Sequence, residues 1–336
     1  MAKPRIAING FGRIGRTIMR IAKLHQHYDV VAVNDLASAD QLAYAFKYDS
    51  IHGTFPGEVT VDQDSMTIAG DRFRVLQERD PARLPWQELG VDYVIESSGV
   101  FRKLDEINQH LEAGASRVIL TVPSKDPLEA TLVSGVNDHV LTPDARIISN
   151  ASCTTNCAAP LVKVLHEAVG VKRGLLTTVH AYTSDQRLID SPHKDKRRSR
   201  NAASNIVPTS TGAAQVVALV YPAVKGKFTG IAMRVPTPNV SAVDLVFESS
   251  RASSVDEIKS IIKGAADGAM SKIIKYGDLP LVSSDYAGTN QSTIFDADLT
   301  LSMGDNFFKI VAWYDNEWGY SQRVVDLAEV VARNWK

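Results

Sequence analysis

The chain has 336 residues, 44% of them hydrophobic, with 37 Lys and Arg against 38 Asp and Glu. That length exceeds the ~250–300 residues at which one core usually divides, so two domains are expected. A net charge of −1 excludes a global field for nucleic acid or anionic membrane, and no apolar run approaches the ~20 residues of a membrane span.

The opening "MAKPRIAING" runs directly into a strand-like stretch and lacks the apolar core of a secretory signal. A cytoplasmic location, where thiols stay reduced, is therefore expected. "RIAING" (5–10) is β-like and ends in glycine, "GRIGRTIMRIAKLH" (12–25) has apolar residues at helical spacing, and "DVVAVND" (29–35) is again strand-like. They predict one βαβ unit with a right-handed crossover. "DYVIESSG" (92–99), "SRVILTVPS" (116–124) and "ARIISN" (145–150) are further short β-branched runs followed by small polar residues. With helical stretches between several of them, they predict a doubly wound parallel sheet over residues 1–150.

After residue 150 the pattern changes. A helix-like segment at about 153–168 leads to "GLLTTVHAYT", "TGIAMRVPTPNVSAVDLVFESS" and "NFFKIVAWYDNEW". These longer runs predict a mixed or antiparallel sheet with one helix-covered face, an α+β domain over 151–318. The amphipathic "YSQRVVDLAEVVARNWK" predicts a helix in the final segment, 319–336, which is expected to pack back on the first domain.

"NGFGRIGR" (9–16) places Gly10, Gly12 and Gly15 as G-x-G-x-x-G, after a strand and opening a helix, with Asp35 twenty residues beyond Gly15. In that context Gly10 permits the tight turn, Gly12 lets a pyrophosphate approach the backbone, and Gly15 lets helix and strand pack closely. The helix end attracts phosphate. Asp35 would bond ribose hydroxyls and repel a 2′-phosphate, which favours NAD over NADP.

"SNASCTTNCAAP" (149–160) holds both cysteines, Cys153 and Cys157. Their one-turn spacing is awkward for a disulfide, and two cysteines alone make no zinc site, so no metal is expected. A buried pair and a reactive thiol both remain open. A helix beginning near Cys153, capped by Asn150 or Ser152, would lower that thiol's pKa and leave Cys157 largely outside the effect. Pro160 would kink the helix. Of eight histidines, His180 is the best-placed partner, because it ends a strand candidate.

"INGFGRIGR", "SNASCTTNCAAP", "HAYTSDQ", "PTSTGAA" and "WYDNEWGYS" together resemble phosphorylating glyceraldehyde-3-phosphate dehydrogenases along essentially the whole chain. The resemblance implies a Rossmann-type NAD-binding domain and a catalytic domain. Cys153 would add to the substrate aldehyde, His180 would assist thiolate formation and take the hydroxyl proton, hydride would pass to NAD, and phosphate would attack the thioester. It also implies cofactor positions at Asn9, Gly10, Arg13, Ile14, Asp35, Arg79, Ser98, Thr121, Asn316 and Tyr320. Thr183, Asp185, Arg198 and Arg234 would hold the substrate's own phosphate, and Ser152, Thr154, Thr211 and Gly212 the attacking one. Arginine forks and hydroxyl or amide donors suit a phosphate. The basic run "HKDKRRSR" (193–200) would belong to a loop reaching a neighbouring subunit in a homotetramer. It lacks the interleaved aromatics of a nucleic-acid surface.

Ser191 stands where strictly NAD-using bacterial members commonly carry Leu, which leaves some NADP use and a biosynthetic direction open. The rival on the same fold is an erythrose-4-phosphate dehydrogenase, disfavoured by the intact "STGAA". A Cys153–His180 thiol hydrolase and a non-enzymatic RNA-binding or adhesin role are rivals of other classes, and neither explains the dinucleotide residues.

Overall fold

In the computed structural model, residues 3–25 and 28–334 are described. The chain forms two compact units. The first runs up to Leu132 and includes His139–Ala151 and the stretch from Ser321 on; the second comprises Val133–Asp138 and Ser152–Tyr320. No helix among the described residues is long and apolar enough to cross a membrane.

The first unit contains β1 (Arg5–Asn9), α1 (Arg13–His25), β2 (Asp29–Asn34), α2 (Ala39–Lys47), β3 (Val59–Asp62), β4 (Ser65–Ile68) and β5 (Asp71–Leu76). It continues with β6 (Tyr93–Glu96), α3 (Leu104–Glu112), β7 (Arg117–Leu120), β8 (Ala130–Thr131) and β9 (Ile147–Ser149). Its nine-stranded sheet has the order β3-β4-β5-β2-β1-β6-β7-β9-β8. The central pairs β2–β1–β6–β7–β9 are parallel, as the alternating pattern requires. The stretch 59–76 departs from expectation: β3, β4 and β5 form an antiparallel meander that extends one edge. Ile6, Ala7 and Ile8 of β1 are fully buried, as are Val94 and Ile95 of β6. Central parallel strands are covered on both faces, so apolar side chains are needed on both. The order reverses between β1 and β6, and the carboxyl ends on either side of that point carry Asn9 and Glu96.

The second unit contains α4 (Cys153–Val169), β10 (Val171–Ala181), β11 (Val207–Ser210), α5 (Ala213–Val220), β12 (Phe228–Val235) and β13 (Ser241–Ser249). It continues with α6 (Val255–Asp267), β14 (Ile274–Gly277), β15 (Thr293–Met303) and β16 (Phe307–Tyr314). The sheet order is β11-β12-β10-β13-β16-β15-β14. It is mixed: β10 pairs parallel with β12, and β14 with β15, beside antiparallel neighbours. The long candidate at 229–250 divides at "PTPN" into β12 and β13, because proline denies the ladder its N–H donor. On β10, Leu176, Thr178 and His180 are buried while Leu175 and Val179 are exposed. This period-2 alternation marks one covered face. The last helix, α7 (Trp318–Asn334), buries Val324, Val325, Leu327, Ala328 and Val331.

Candidate active site and cofactor cavity

The loop between β1 and α1 uses its glycines differently. Gly10 has φ +91°, and a Cβ there would stand 2.4 Å from the Ser98 nitrogen. A Cβ on Gly15 would lie 2.2 Å from the Gly10 carbonyl oxygen, so close passage of α1 over the turn forbids a side chain. A Cβ on Gly12 would meet no atom within 4 Å. That open side is where a ligand can approach the backbone. Asp35, just beyond β2, accepts from the Phe11 N–H through Oδ2 (2.8 Å) and from the Ala37 N–H through Oδ1 (3.2 Å).

These residues border a cavity of ≈ 270 Å³, which Asn9, Gly10, Gly12, Asp35, Arg79 and Ser98 line together. A helix N-terminus, an open glycine and an acidic strand end fit a dinucleotide. Asn34, Glu78, Ser97 and Phe101 also line the cavity, and the sequence reading missed them. Their signal is only positional: each lies one to three residues beyond, or ends, a parallel strand already placed, except Phe101 and Glu78 in the following loops.

Other expected cofactor residues stand outside this lining. Arg13 forms a two-point ion pair with Asp49 (2.8 and 3.2 Å). Burial opposes the Asp49 charge, but the His52 and Ile51 N–H groups and Arg13 hold its carboxyl down at about 2. Ile14 is half-buried in the first turn of α1. Thr121 donates to the Glu96 carbonyl at 3.0 Å. Asn316 and Tyr320 belong to the second unit.

In the second unit, Cys153 is the first residue of α4 and Ser152 is its N-cap, accepting from the Thr155 N–H. The preceding Ala151 has φ +55°, a left-handed conformation that turns the chain sharply into the helix. Cys153 Sγ lies 3.5 Å from His180 Nε2. Arg234 Nη1 lies 2.7 Å from His180 Nδ1 and donates to the Ala181 carbonyl at 3.1 Å. The Ala181 carbonyl oxygen, which can only accept, is also 2.7 Å from Nδ1; with the ring proton shared with that oxygen, Nε2 faces the sulfur as an acceptor.

Burial pushes the Cys153 thiol up, whereas Arg234 and the N–H groups of Thr154 and Cys153 pull it down. The helix-end effect expected from the sequence is present, but desolvation outweighs it and the net shift is upward, a correction to the lowered thiol pKa. Burial, then the Arg234 cation, depress His180 to about 3, so the ring is neutral near pH 7. Cys157 is fully buried, and desolvation holds its thiol protonated. α4 continues through Pro160 to Val169.

Around this pair, the Tyr314 hydroxyl bridges the hydroxyls of Thr154 and Thr178, each at 2.8 Å. Its ring meets His180 edge-on at 5.9 Å. Thr211 and Gly212 stand at the N-terminus of α5, where Thr211 Oγ1 accepts from the Ala213 N–H. Thr183 forms a turn with Gln186. Arg198 pairs with Asp185, approaches Asp195 at 3.5 Å and donates to Thr209 at 3.0 Å. Asp185 thus orients a guanidinium; an ionised carboxylate offers a phosphate no donor. Ser191 N–H donates to Ser199, within the same basic loop.

Ser241 escaped the sequence reading. Its Oγ accepts from the Ala181 N–H (3.1 Å), so its single proton goes to Asn316 Oδ1 (2.8 Å). That fixes the Asn316 amide with its NH2 directed elsewhere. Val240, immediately before it, is held at φ +64°, a costly conformation for a β-branched residue.

Residues 4–104 match the sequence model described as the glyceraldehyde 3-phosphate dehydrogenase NAD binding domain, and 152–316 match the one described as its C-terminal domain. Glyceraldehyde-3-phosphate dehydrogenase of Geobacillus stearothermophilus is 52% identical, over 98% of this chain and 98% of its own. Glyceraldehyde-3-phosphate dehydrogenase 2 of Saccharomyces cerevisiae is 50% identical, over 98% of this chain and 99% of its own. The chloroplastic glyceraldehyde-3-phosphate dehydrogenase A of Chlamydomonas reinhardtii is 51% identical, over 99% and 90%.

Proposed function

Because this chain belongs to the glyceraldehyde-3-phosphate dehydrogenase family, we propose that it oxidises glyceraldehyde 3-phosphate to 1,3-bisphosphoglycerate with NAD and inorganic phosphate. The observation that carries the reading is the Cys153–His180 contact at the start of α4, with the Arg234 guanidinium beside the ring. His180 Nε2 takes the Cys153 thiol proton, the resulting thiolate bonds to the aldehyde carbon, and the carbonyl oxygen becomes an alkoxide. The His180 Nε2–H donates to that oxygen and stabilises its charge. Bound NAD supplies the two-electron acceptor that turns the hemithioacetal into a thioester. Phosphate oxygen then attacks the thioester carbon, the Cys153–carbon bond breaks, and the thiolate is restored.

Gly10, Gly12, Asp35, Arg79, Asn9 and Ser98 form the proposed dinucleotide site, and Asn316 orients the nicotinamide amide. Arg198 and Arg234 bind the substrate phosphate with Thr183, and Asp185 acts through Arg198. The attacking phosphate is held by Ser152, Thr154, Thr211 and Gly212, which offer hydroxyls and two helix N-termini. We assign residues 1–150 to cofactor binding, 151–318 to catalysis and 319–336 to a helix serving the first domain. A homotetramer is supported by the uncovered face of the second sheet, where Leu175, Val179, Ile231 and Leu301 are exposed. Two free cysteines support a reducing, cytoplasmic location.

The test follows NADH formation from glyceraldehyde 3-phosphate with and without inorganic phosphate. Turnover that requires phosphate supports the proposal. Undiminished turnover in its absence, with free acid as product, would assign the chain to the water-releasing rival instead.

A further inference from the structure

We propose that Glu96 is the positioning residue of the dinucleotide cavity, fixing which hydrogen-bonding edges Asn9 and Ser98 present to it. The inference rests on the reading of that cavity as the NAD site. Glu96 ends β6, fully buried, and four donors converge on its carboxylate. Oε2 accepts from Asn9 Nδ2 (2.5 Å) and from His110 Nε2 (3.1 Å). Oε1 accepts from the backbone N–H of Ser98 (2.8 Å) and its hydroxyl (2.5 Å). The Ser98 hydroxyl oxygen accepts in turn from the Val100 N–H.

The polarity of this chain of contacts is closed at both ends by groups that can only donate. At one end the Trp86 indole N–H points at His110 Nδ1 (3.1 Å), so the His110 proton must sit on Nε2, facing Glu96. At the other end the Glu78 backbone N–H points at Asn34 Oδ1 (2.9 Å). The Asn34 NH2 group therefore donates to Asn9 Oδ1 (2.7 Å) and to the Glu78 carbonyl (2.8 Å). Asn9 is left with its own NH2 on Glu96. The donors of Asn9, Ser98 and His110 thus converge on one carboxylate, and Asn9, Asn34, Glu78 and Ser98 all line the cavity. A buried carboxylate that collects four donors holds each against rotation, because any turned amide would leave a buried group unpaired.

Glu96→Gln keeps the shape and converts one acceptor into a donor. On the Oε2 side the new NH2 would face the donors of Asn9 and His110; on the Oε1 side it would face the Ser98 N–H. No orientation avoids donor against donor. Trp86→Phe acts from outside the cavity lining by releasing the His110 tautomer.

The experiment is calorimetric titration of the full-length protein with NAD and with ADP-ribose, for wild type, Glu96→Gln, Trp86→Phe and Asp35→Ala, beside the unfolding midpoint of each ligand-free protein. Glu96→Gln should raise Kd for both ligands by about tenfold or more, and Trp86→Phe by a few-fold. A lowered midpoint with unchanged Kd would make Glu96 merely structural and overturn the proposal. If Asp35→Ala weakens binding and Glu96→Gln does not, the positioning role falls while the cavity reading stands. If neither changes Kd, the cavity reading itself fails. Should Glu96→Gln not fold, an unchanged Kd in Trp86→Phe would overturn the proposal.

Discussion

His180 and Arg234 are register partners on the parallel strands β10 and β12, and the guanidinium Nη1 lies 2.7 Å from the imidazole Nδ1. A cation so placed does two things at once. It disfavours a second charge on the ring, and it favours a negative charge on the sulfur that the ring faces.

Arg234→Leu removes that cation, so both the thiol and the imidazole should become harder to deprotonate, each pKa moving up. The rate of Cys153 alkylation by iodoacetamide, followed against pH, should shift its rise to higher pH. The catalytic efficiency kcat/KM should fall by about 100-fold or more. An alkylation profile that does not move would remove Arg234 from the electrostatics of the thiol.

Gly12 and Gly15 should fail differently when each is changed to Ala. The Gly15→Ala methyl would collide with backbone that cannot rotate away, and should lower stability by about 1–3 kcal/mol. Gly12→Ala has open space around it, so its unfolding midpoint should hold while NAD affinity drops at least about tenfold. Denaturation curves paired with NAD titrations would separate the two; equal loss of stability would contradict the assignment.

Asp35→Ala should relax discrimination against NADP, because the carboxylate that repels a 2′-phosphate is gone. NAD affinity should also fall a few-fold, since Asp35 accepts from the Phe11 N–H inside the glycine turn. The ratio of kcat/KM for NAD to that for NADP measures this, and an unaltered ratio would count against the role.

Ser241→Ala would leave Asn316 Oδ1 without its donor and allow the amide to turn over. The KM for NAD should rise several-fold with little change in the KM for glyceraldehyde 3-phosphate, and Ser241→Thr should restore it. Equal rises in both constants would mean general disruption rather than lost orientation.

What the sequence disclosed was local in the chain. The turn at Gly10–Gly15 is written in six consecutive positions, and Cys153 follows its cap by one residue, so both could be read directly. The Asn9–Glu96 hydrogen bond joins residues 87 positions apart, and no spacing rule connects Asn9, Glu96 and His110. The meander at 59–76 was missed because its strands are only four to six residues long and partly exposed, which weakens the period-2 signal. For the second sheet the sequence left mixed and antiparallel both open, because alternation reports which face is covered, not which way the neighbouring strand runs. The sign of the Cys153 shift was misjudged because the helix end is visible in sequence and the depth of burial is not.

The central claim is a covalent thioester on Cys153. Protein mixed with glyceraldehyde 3-phosphate and NAD in the absence of phosphate, quenched in acid and digested, is examined by mass spectrometry. The peptide carrying Cys153 should gain the mass of the phosphoglyceroyl group, about one NADH should form per active site, and Cys153→Ser should show neither. NADH formation without acylation of Cys153, or acylation that persists in Cys153→Ser, would contradict the account.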